Sequence, residues 1–281
     1  MSQGRVLVVA GSDSGGGAGI QADIKAITAL QGYAATAVTA LTAQNTLGVH
    51  GVVPVEPAFI AQQMDVVLSD IGADCVKTGM LHDASVIGTV ADRLGAAAVG
   101  IPVVVDPVMV AQSGDRLLRE EAVAALRDRL LPMATVLTPN LPEAEVLLER
   151  SIGDESDMER AASGLLEFGC QAVLLKGGHA AGDGPVVDIL ATAGQKVRRL
   201  SYPRIATTSN HGTGCTLASA IAAGVAVGMP LDGAIFRARA YLQRALETAV
   251  PLGRGHGPVN HAHTVKPFQV GGVEGGNVGM T

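Results

Sequence analysis

Residues 211–216 read HGTGCT and place two glycines, two threonines and a cysteine directly before an alanine-rich stretch, 217–227. The apolar stretch predicts a helix, whose first backbone N–H groups have no intrahelical acceptor and lie at the positive end of the dipole. Glycines on both sides of Thr213 let the chain curve these amides around an oxyanion, whereas a simple helix cap requires only one hydroxyl. The segment therefore predicts a phosphate-binding helix start. It is not a P-loop, because the sequence contains neither GxxxxGKS nor GxxxxGKT.

Cys215 lies at the start of this predicted helix. A thiol there is expected to have a pKa below the ~8.5 of free cysteine, because the helix dipole favours the thiolate. A phosphate bound by the same amides would act in the opposite direction, so we expect Cys215 to be a proton acceptor rather than a permanent anion. Cys75 and Cys170 have no such neighbours and are expected to be small buried residues. Three scattered cysteines without a CxxC pair indicate neither disulfides nor zinc, and they favour a reducing cytoplasm.

A second glycine-rich segment, 11–19 (GSDSGGGAG), follows an apolar stretch and precedes helically spaced isoleucines. Gly17, Gly19 and Ala22 loosely match the dinucleotide fingerprint, which also requires an acidic residue about 20 positions later to hold a ribose hydroxyl. Residues 24–55 contain no Asp or Glu, so an NAD-dependent dehydrogenase is not favoured. The segment instead predicts a loop whose backbone approaches a small substrate.

Small and polar residues follow five stretches of strand character: 11–13, 77–79, Asp106, Asn140 and 176–178. In open parallel sheets, ligands bind outside the carboxyl ends of the strands. Any one of these positions could be an ordinary turn, but the five together predict a binding site along one edge of the sheet.

Asn140 begins another predicted helix, with Pro142 at the first helical position and Glu143 in the first turn. These are ordinary helix-start residues. With Asp106 nearby, Asn140 and Glu143 could instead hold a hydrated Mg²⁺ that faces phosphates. The residues alone leave both interpretations open.

The elements that must position these residues alternate between short apolar stretches and longer amphipathic ones. This alternation predicts a three-layer α/β/α fold with a central, mainly parallel sheet. We expect one domain over residues 1–270 and a flexible tail over 271–281, which has almost nothing to bury. Strands are predicted at 5–10, 35–41, 49–55, 74–78, 103–106, 135–138, 172–176, 186–190 and 197–202, the last two as an antiparallel hairpin. Helices are predicted at 20–30, 57–69, 84–99, 120–131, 142–148, 158–168, 213–227 and 231–250.

The composition excludes several functional classes. The chain has 281 residues, of which 48% are hydrophobic and 16% charged, so disorder of the whole chain is excluded. Aromatic residues make up 2% and the net charge is −6 without a basic run, which disfavours a nucleic-acid partner. No apolar run approaches the ~20 residues of a membrane helix, so no membrane partner is expected.

Eight stretches, taken in order, resemble the bacterial hydroxymethylpyrimidine/phosphomethylpyrimidine kinases of thiamine biosynthesis, which belong to the ribokinase-like superfamily. The resemblance extends from about residue 6 to residue 261. It implies a ribokinase-like fold and transfer of the ATP γ-phosphate to the hydroxymethyl oxygen of 4-amino-5-hydroxymethyl-2-methylpyrimidine, then to the resulting monophosphate. The stretches are GSDSGGGAGIQADIK (11–25), TAVTALTAQNTLGV (36–49), SDIGADCVKTGML (69–81), VVVDPVMVAQSGDRLL (103–118), TPNLPEAE (138–145), LLKGGH (174–179), HGTGCTLASAIAAG (211–224) and GHGPVNH (255–261).

The resemblance also implies residue roles, together with ATP and Mg²⁺ as cofactors and a homodimeric state. Gly212, Thr213 and Gly214 would form the anion hole, and Cys215 would be the catalytic base, at a position where many ribokinase relatives have Asp. Gln44 would hydrogen-bond the aminopyrimidine edge, which suits a carboxamide because it donates and accepts in one plane. The other substrate-binding residues would be Gly11, Asp23, Met80, Val108 and Arg239, the nucleotide-binding residues Asn140, Lys176, Gly178 and Thr216, and the metal-binding residues Asp106 and Glu143.

The chain departs from the family's usual pattern in three places. Ser209 and Asn210 stand where the family usually has Asn-Thr, and Ala206 stands where an acidic or amide residue is frequent. These changes could weaken nucleotide or metal anchoring unless Asn210 compensates. Arg239 stands where Lys is common; it keeps the positive charge and could hold the substrate monophosphate bidentately.

Two other functions stay open from the sequence. A pyridoxal kinase also acts on a flat heteroaromatic alcohol, although Gln44 and Met80 favour the aminopyrimidine. A non-catalytic sensor of pyrimidines or nucleotides is suggested only by the altered Ser209-Asn210 pair. Such a sensor would be stabilised by ligands without consuming ATP.

Overall fold

A computed structural model of the chain describes residues 3–111, 114–115, 117–178 and 184–267. The predicted tail, 271–281, lies outside the described residues. The strands are β1 (Arg5–Ala10), β2 (Tyr33–Val38), β3 (Ala40–Asn45), β4 (Gly48–Pro54), β5 (Cys75–Thr78), β6 (Val103–Val105), β7 (Val136–Leu137), β8 (Ala172–Leu175), β9 (Val186–Thr192) and β10 (Arg198–Tyr202). The helices are α1 (Gly19–Ala29), α2 (Pro57–Asp70), α3 (Ala84–Ala97), α4 (Ala122–Ala125), α5 (Leu141–Leu148), α6 (Glu155–Leu166), α7 (Thr213–Ala226) and α8 (Leu231–Glu247).

Eight of these strands form one sheet in the order β10-β9-β8-β7-β6-β5-β1-β2. The six strands from β8 to β2 in that order pair in parallel, and β9 is antiparallel to both β8 and β10. Because parallel strands end at the same edge, the segments that follow β1, β5, β6, β7 and β8 come together there. The predicted α/β fold and the predicted hairpin near the end of the sheet are therefore confirmed.

Helices cover both faces of the sheet, as the side-chain alternation along β1 requires. Leu7 and Val9 belong to the apolar cluster that includes residues of α2, α3, α5 and α6. Val6 and Val8 face the other cluster, which includes residues of α1, α7 and α8. The two faces together give the three-layer arrangement predicted from the sequence.

Helix α7 packs closely because its side chains are small. Nine of its residues are buried, and a Cβ at Gly224 would lie only 2.8 Å from the Cβ of Ala234 in α8. A bulkier sequence would push α7 away from the sheet, and the start of α7 would move with it. The alanine and glycine content of this helix is therefore part of how the site is positioned. Across the described ranges, we find no helix with the length and apolar character needed to cross a membrane.

The predicted strand 35–41 is wrong as a single element. Strand β2 ends at Val38, and β3 starts at Ala40 and pairs antiparallel with β4 in a separate two-stranded sheet. The break falls at Thr39, whose buried hydroxyl donates to the Met80 carbonyl oxygen over 2.6 Å and whose N–H donates to Ala10. These bonds redirect the chain without the glycine or proline that would have signalled a turn.

The predicted helix 120–131 is also interrupted. Helix α4 has four residues and continues as a π-helical turn, Leu126–Leu130, and a 3₁₀ turn, Leu131–Met133. Pro132 has no N–H to donate, so a regular helix cannot continue through it.

Candidate active site

A cavity of about 470 Å³ opens at the carboxyl edge of the parallel strands. Both glycine-rich segments border it, and Met109 and Val110 contribute apolar surface. Of the residues predicted from the sequence, those that line this cavity are Gly11, Gln44, Met80, Asp106, Val108, Asn140, Glu143, Lys176, Gly178, Gly212, Thr213, Gly214, Cys215 and Arg239. Asp23 and Thr216 do not line it.

Gly212 positions the first turn of α7 at the cavity wall. It has a positive φ of 80°, and a Cβ there would overlap the carbonyl oxygen of Gly17, so no other residue fits without moving the two glycine-rich segments apart. Within α7 the N–H of Thr216 donates to the Gly212 carbonyl over 2.9 Å. The three amides before it, from Thr213 to Cys215, precede the point where intrahelical bonding begins. This arrangement can bind an oxyanion.

Lys176 and Asp106 face this first turn from the ends of β8 and β6. The Lys176 Nζ lies 3.0 Å from Asp106 Oδ1, which also accepts from the Thr138 hydroxyl at 3.2 Å. A Cβ added to Gly214 would be 3.3 Å from the same Nζ. Burial lowers the pKa of Lys176, but Asp106 and Glu143 raise it more, so the lysine is cationic at neutral pH. A fixed positive charge therefore lies directly against the first turn of α7 at the cavity wall.

The structure is compatible with both interpretations of Asn140 and Glu143, as ordinary helix-start residues and as residues that face a bound metal. The Asn140 side chain accepts from the Glu143 N–H, and Glu143 Oε2 accepts from the Asn140 N–H, which is a capping box at the start of α5. Both residues also line the cavity. Burial raises the pKa of Glu143 to about 7; nearby Asp106 acts in the same direction, whereas Lys176 opposes it.

The carboxylates of Asp106 and Glu143 fit a magnesium ion that is held mainly by phosphates and water. Mg²⁺ commonly takes one or two protein carboxylates and completes its octahedron with substrate oxygens and waters. Among the residues the structure describes, no cluster of three or more His, Cys, Asp or Glu side chains could hold a metal on its own. Two carboxylates beside a cavity are suited to a metal ion that arrives with a nucleotide.

Cys215 lies in the cavity wall, half-buried at the first turn of α7. Burial raises the pKa of its thiol to about 12. The positive charge of Lys77 and the N–H of Gly19 act in the opposite direction, and the carboxyls of Asp23 and Asp106 raise the pKa further. The predicted lowering of this pKa is therefore wrong, because loss of solvent outweighs the helix N-terminus. The thiol is protonated at neutral pH.

Asp23 lies beneath the cavity and does not line it, so its predicted contact with substrate is wrong. Its Oδ1 accepts from Lys77 Nζ at 2.8 Å and from the Ser219 hydroxyl at 2.6 Å, and all three side chains are fully buried. Helix α1 turns this carboxylate toward α7 and the sheet. Lys77 reaches the cavity wall from β5. The sequence places it in the predicted binding edge, at 77–79, but gives it no individual role; the further signal was a lysine inside an otherwise apolar strand, CVKT.

Thr216 is also misplaced by the sequence prediction. Its hydroxyl donates to the Gly212 carbonyl at 2.8 Å and lies 2.9 Å from His261 Nε2. Burial lowers the pKa of His261 to about 4, so this histidine is neutral. Thr216 therefore stabilises the first turn of α7 on the side away from the cavity and does not line the predicted nucleotide site.

Arg239 lines the cavity at the end nearest β9. Its Nε lies 2.9 Å from Asp188 Oδ2, and its guanidinium stacks over the Tyr202 ring at 4.5 Å. The other oxygen of Asp188 accepts from the N–H of Gly177, next to Lys176. This ion pair holds Arg239 beside the Lys176 segment, and its role toward a substrate monophosphate stays a prediction.

Asp13 and His211 join the two glycine-rich segments. Asp13 Oδ2 lies 2.8 Å from His211 Nε2, and the carboxylate also accepts from the N–H groups of Gly15, Gly17 and Ala18. Burial alone would raise the pKa of Asp13, but His211 and the N–H groups of Ala18 and Gly15 lower it below its usual range. The sequence places Asp13 in the predicted binding edge, 11–13, and His211 in the predicted phosphate-binding segment, 211–216, but gives neither an individual role.

Gln44 reaches the cavity from β3 and is fixed by bonds to its backbone. The Ser14 hydroxyl donates to the Gln44 carbonyl at 2.9 Å and accepts from the Gln44 N–H at 2.8 Å. The turn that follows is secured by segment 253–258. There, the N–H of His256 donates to Thr46 O at 2.9 Å, and a Cβ at Gly255 would overlap that oxygen. This contact explains much of the GHGPVNH motif.

Asn210 does not line the cavity. Its side-chain oxygen accepts from His256 Nδ1 at 2.8 Å, so it helps to hold segment 253–258. The suggestion that Asn210 anchors a nucleotide or metal in place of the family's usual residues is therefore not supported by its contacts.

Comparison with known proteins gives consistent matches along nearly the whole chain. Residues 13–260 match the family described as phosphomethylpyrimidine kinase. A hydroxymethylpyrimidine/phosphomethylpyrimidine kinase of Rhizobium meliloti is 50% identical over 260 residues, which cover 92% of this chain and 96% of the relative. A thiamine biosynthesis bifunctional protein, ThiED, of Geobacter sulfurreducens is 54% identical over 92% of this chain, which spans only 52% of that longer relative.

Solved structures share the fold. A Bacillus subtilis pyridoxal kinase in an ADP complex superposes with a TM-score of 0.85 at 35% identity and covers 93% of this chain and 98% of its own. A Staphylococcus aureus pyridoxal kinase in complex with AMP-PCP and pyridoxal gives 0.85 at 34% identity, covering 93% and 94%. A phosphomethylpyrimidine kinase of Clostridium difficile gives 0.76 at 37% identity, covering 86% and 99%.

Proposed function

This chain belongs to the phosphomethylpyrimidine kinase family, and on that premise we propose that it phosphorylates 4-amino-5-hydroxymethyl-2-methylpyrimidine with ATP and then phosphorylates the resulting monophosphate. The observation that carries the proposal is the convergence, in one cavity, of the first turn of α7, the Lys176–Asp106 pair and the carboxamide of Gln44. ATP use is supported by the nucleotide complexes of the structural relatives.

The transfer itself requires little covalent chemistry from the protein. The hydroxymethyl oxygen forms a bond to the γ-phosphorus while the bond to the β-bridging oxygen breaks, and ADP leaves. We propose that the backbone N–H groups of Thr213, Gly214 and Cys215 bind the phosphoryl group as it is transferred. Preorganised donors of this kind stabilise the charge that develops in the transition state. Lys176, held by Asp106 beside the same turn, offsets the charge of the nucleotide phosphates.

Cys215 is the proposed acceptor of the alcohol proton. It lies in the same first turn as the anion-binding amides. Because burial raises its pKa to about 12, only a small thiolate fraction is present at neutral pH. Proton transfer to that fraction leaves the thiol, which then returns the proton to solvent after product leaves. This assignment predicts a rate that increases with pH.

We propose Asp106 and Glu143 as the carboxylates that hold a magnesium ion carried in with the nucleotide. The ion would supply charge neutralisation on the phosphate oxygens. Asn140 and Gly178 also line the cavity and are assigned to the nucleotide. Gly11, Met80 and Val108 are assigned to the pyrimidine; a Cβ at Gly11 would lie 2.9 Å from Met80 Sδ, so glycine permits the close approach that shapes this wall.

Pyridoxal is a second candidate substrate. The observation in its favour is the superposition on two pyridoxal kinases at a TM-score of 0.85, against 0.76 for the Clostridium difficile phosphomethylpyrimidine kinase. Competitive turnover of equal amounts of the two alcohols tests it. A larger kcat/KM for pyridoxal would replace the pyrimidine as the substrate.

Three further features belong to the proposal. We infer that residues 1–270 fold as one domain, supported by a sheet that combines strands from Arg5 to Tyr202. A homodimer is proposed from the family resemblance, and light scattering of the purified protein tests it. A cytoplasmic location is proposed because Cys75, Cys170 and Cys215 are all free thiols.

Phosphorus NMR of the purified protein with Mg-ATP and the pyrimidine alcohol tests the main proposal. We expect a monophosphate ester signal that gives way to a diphosphate ester while ADP accumulates. Ligand-induced thermal stabilisation with no new phosphoester would instead support a non-catalytic sensor and overturn the kinase proposal.

A further inference from the structure

The ionisation of Asp13 determines which nitrogen of His211 carries a proton. Asp13 accepts from three backbone N–H groups, those of Gly15, Gly17 and Ala18, at 2.8–3.0 Å, so its carboxylate is an acceptor only. His211 Nε2 lies 2.8 Å from Asp13 Oδ2. A bond of that length to an ionised carboxylate requires a proton on Nε2. Protonation of the second ring nitrogen would leave this Nε2–H unchanged.

The carboxamide of Gln44 lies between the Nε2–H of His211 and the hydroxyl of Thr42. One end of the amide, Nε2, is 3.4 Å from His211 Nε2, and the other, Oε1, is 3.3 Å from Thr42 Oγ1. Thr42 already donates its only hydroxyl proton to the Ser12 carbonyl at 2.9 Å. In this arrangement two donors face each other at His211, and two acceptors face each other at Thr42. A half-turn about the last side-chain bond exchanges the amide ends. The Gln44 nitrogen can then donate to Thr42 Oγ1, and the Gln44 oxygen shares the Nε2 proton of His211 with Asp13 as the longer, weaker branch of a three-centre bond.

We propose that the Asp13–His211 pair is a positioning device that fixes the Gln44 amide with its oxygen toward His211 and its nitrogen toward Thr42, and so sets the direction in which the aminopyrimidine binds. This inference rests on the proposed function for the substrate it names. Asp13 and His211 act through Gln44; neither is assigned a part in the phosphoryl transfer.

The direction matters because of the order of groups around the pyrimidine ring. The free edge of the fixed amide presents an acceptor on the His211 side and a donor on the Thr42 side. The exocyclic amino group is a donor and the adjacent ring nitrogen an acceptor, so the amino group pairs on the His211 side. The hydroxymethyl group is the next substituent beyond the amino group. This binding direction therefore places the hydroxymethyl group near residues 212–215, which form the start of α7 and include Cys215. The opposite amide orientation would carry the alcohol away from them.

The imidazole cannot easily turn out of this arrangement. A Cβ at Gly17 would overlap the His211 ring, which shows how closely the ring packs against the first glycine-rich segment. Pro258, the last residue of segment 253–258, forms a β-bridge with His211. The N–H of His211 also donates to Gly257 O at 3.0 Å. The first glycine-rich segment and segment 253–258 thus both hold the imidazole ring. A residue that orients a neighbouring amide needs such a fixed position.

A long-range ¹H–¹⁵N NMR spectrum of the wild-type protein tests the first step without any substrate. We expect the His211 signals of an imidazole protonated at Nε2. An Nδ1-only tautomer would overturn the inference. Assignment uses His211→Phe, whose spectrum lacks these signals.

Kinetics with two pyrimidine alcohols test the second step. The substrate is compared with its 4-oxo analogue, whose lactam form presents an acceptor where the amino group donates and a donor at the ring nitrogen. We expect the wild type to favour the amino compound in kcat/KM by 100-fold or more, at roughly the scale of a mismatched hydrogen-bonding edge. In His211→Phe the amide can turn, and the preference should shrink by roughly tenfold or more. The matched control His50→Phe removes an exposed histidine outside the cavity lining and should keep the wild-type preference.

The two failures are distinguishable. If the wild type phosphorylates neither alcohol, the proposed function fails, while the histidine tautomer can still be measured. If the wild type acts on the amino compound but His211→Phe keeps the full preference, the positioning role is wrong. If His211→Phe does not fold, Thr42→Val removes the acceptor at the other end of the amide. It should lower the same preference, and an unchanged preference would count against the inference.

Discussion

The ammonium nitrogen of Lys77 lies 2.8 Å from Asp23 Oδ1, and neither side chain has any surface in contact with solvent. Ser219, one helical turn after Cys215, donates to the same oxygen. Removing two charges from water is costly, and their mutual attraction and hydrogen bonds must offset that cost. The pair joins β5, α1 and α7 directly below the proposed anion-binding turn, so it ties the stability of the fold to the placement of that turn.

Lys77→Met should destabilise the protein by about 3–5 kcal/mol, because it leaves the Asp23 carboxylate buried without its partner. Chemical denaturation monitored by circular dichroism measures the change. The double variant Lys77→Met/Asp23→Leu replaces both charges with apolar groups and should recover most of the lost stability. A double variant as unstable as the sum of its single changes would contradict the interpretation of these residues as a coupled pair.

Gly214→Pro should reduce kcat by roughly 100-fold or more while the fold persists. Proline is compatible with the first turn of a helix but lacks the N–H that we assign to the moving phosphoryl group. Gly214→Ala is the matched control, since it keeps the amide and adds a methyl 3.3 Å from Lys176 Nζ. Steady-state kinetics and melting temperature are measured for both variants. Equal losses of kcat in the two would assign the effect to crowding of Lys176 rather than to the amide.

The pH dependence of kcat/KM should report the raised pKa of Cys215. If only the thiolate accepts the alcohol proton, log(kcat/KM) should rise by about one for each pH unit between about pH 8 and 10, above the range in which Glu143 ionises, because the thiolate fraction grows tenfold per unit below the pKa of about 12. Cys215→Ser should be slower and should lose this slope. The charges that face the thiol, Lys77, Asp23 and Asp106, are unchanged in that variant. A flat profile in the wild type would remove the thiolate from the mechanism.

Glu143→Gln should stabilise the metal-free protein at pH 8 while it reduces activity. Burial raises the pKa of Glu143 to about 7, so this group's contribution to stability is present below the ordinary carboxyl pKa of ~4.3 and is lost as pH rises through about 7. Glutamine keeps an acceptor for the Asn140 N–H and has no charge to bury. We expect a melting temperature higher by roughly 2 °C or more at pH 8 in EDTA, and little difference at pH 4.5.

The same variant should also require more Mg²⁺. With one carboxylate removed from the Asp106–Glu143 pair, the magnesium concentration for half-maximal activity should rise by roughly tenfold. Titration of activity with Mg²⁺ at fixed ATP measures it. An unchanged magnesium requirement would assign Glu143 to the capping box of α5 alone.

Much of the fold could be predicted from local sequence pattern. Strand β1 coincides with the predicted 5–10, since a fully buried parallel strand is a continuous apolar run. The split between β2 and β3 could not be predicted, because the change of direction at Thr39 depends on a hydroxyl bond to Met80, a residue 41 positions away. Pairing of β3 with β4 outside the main sheet follows from that bond.

The sequence predicted which residues lie at the site better than it predicted their pKa values. The parallel sheet brings residues at strand ends to one edge, so the placement of Asp106, Asn140 and Lys176 around one cavity follows from topology. The pKa of Cys215 could not be predicted, because it depends on how much solvent the surrounding loops exclude. For Asp23 the sequence places the residue on α1 but does not tell whether its carboxylate turns toward the cavity or toward Lys77.

Segment 253–258 secures the turn after Gln44 from more than 200 positions further along the chain. A ribosome synthesises these two parts in that order, so a nascent chain that already contains Gln44, Lys176 and Cys215 still lacks the piece that holds its pyrimidine-recognition loop. Such long-range closure is slow in folding. The growing polypeptide therefore acquires its recognition loop last, near the end of translation, and truncated products that end before Gly255 would be incomplete kinases.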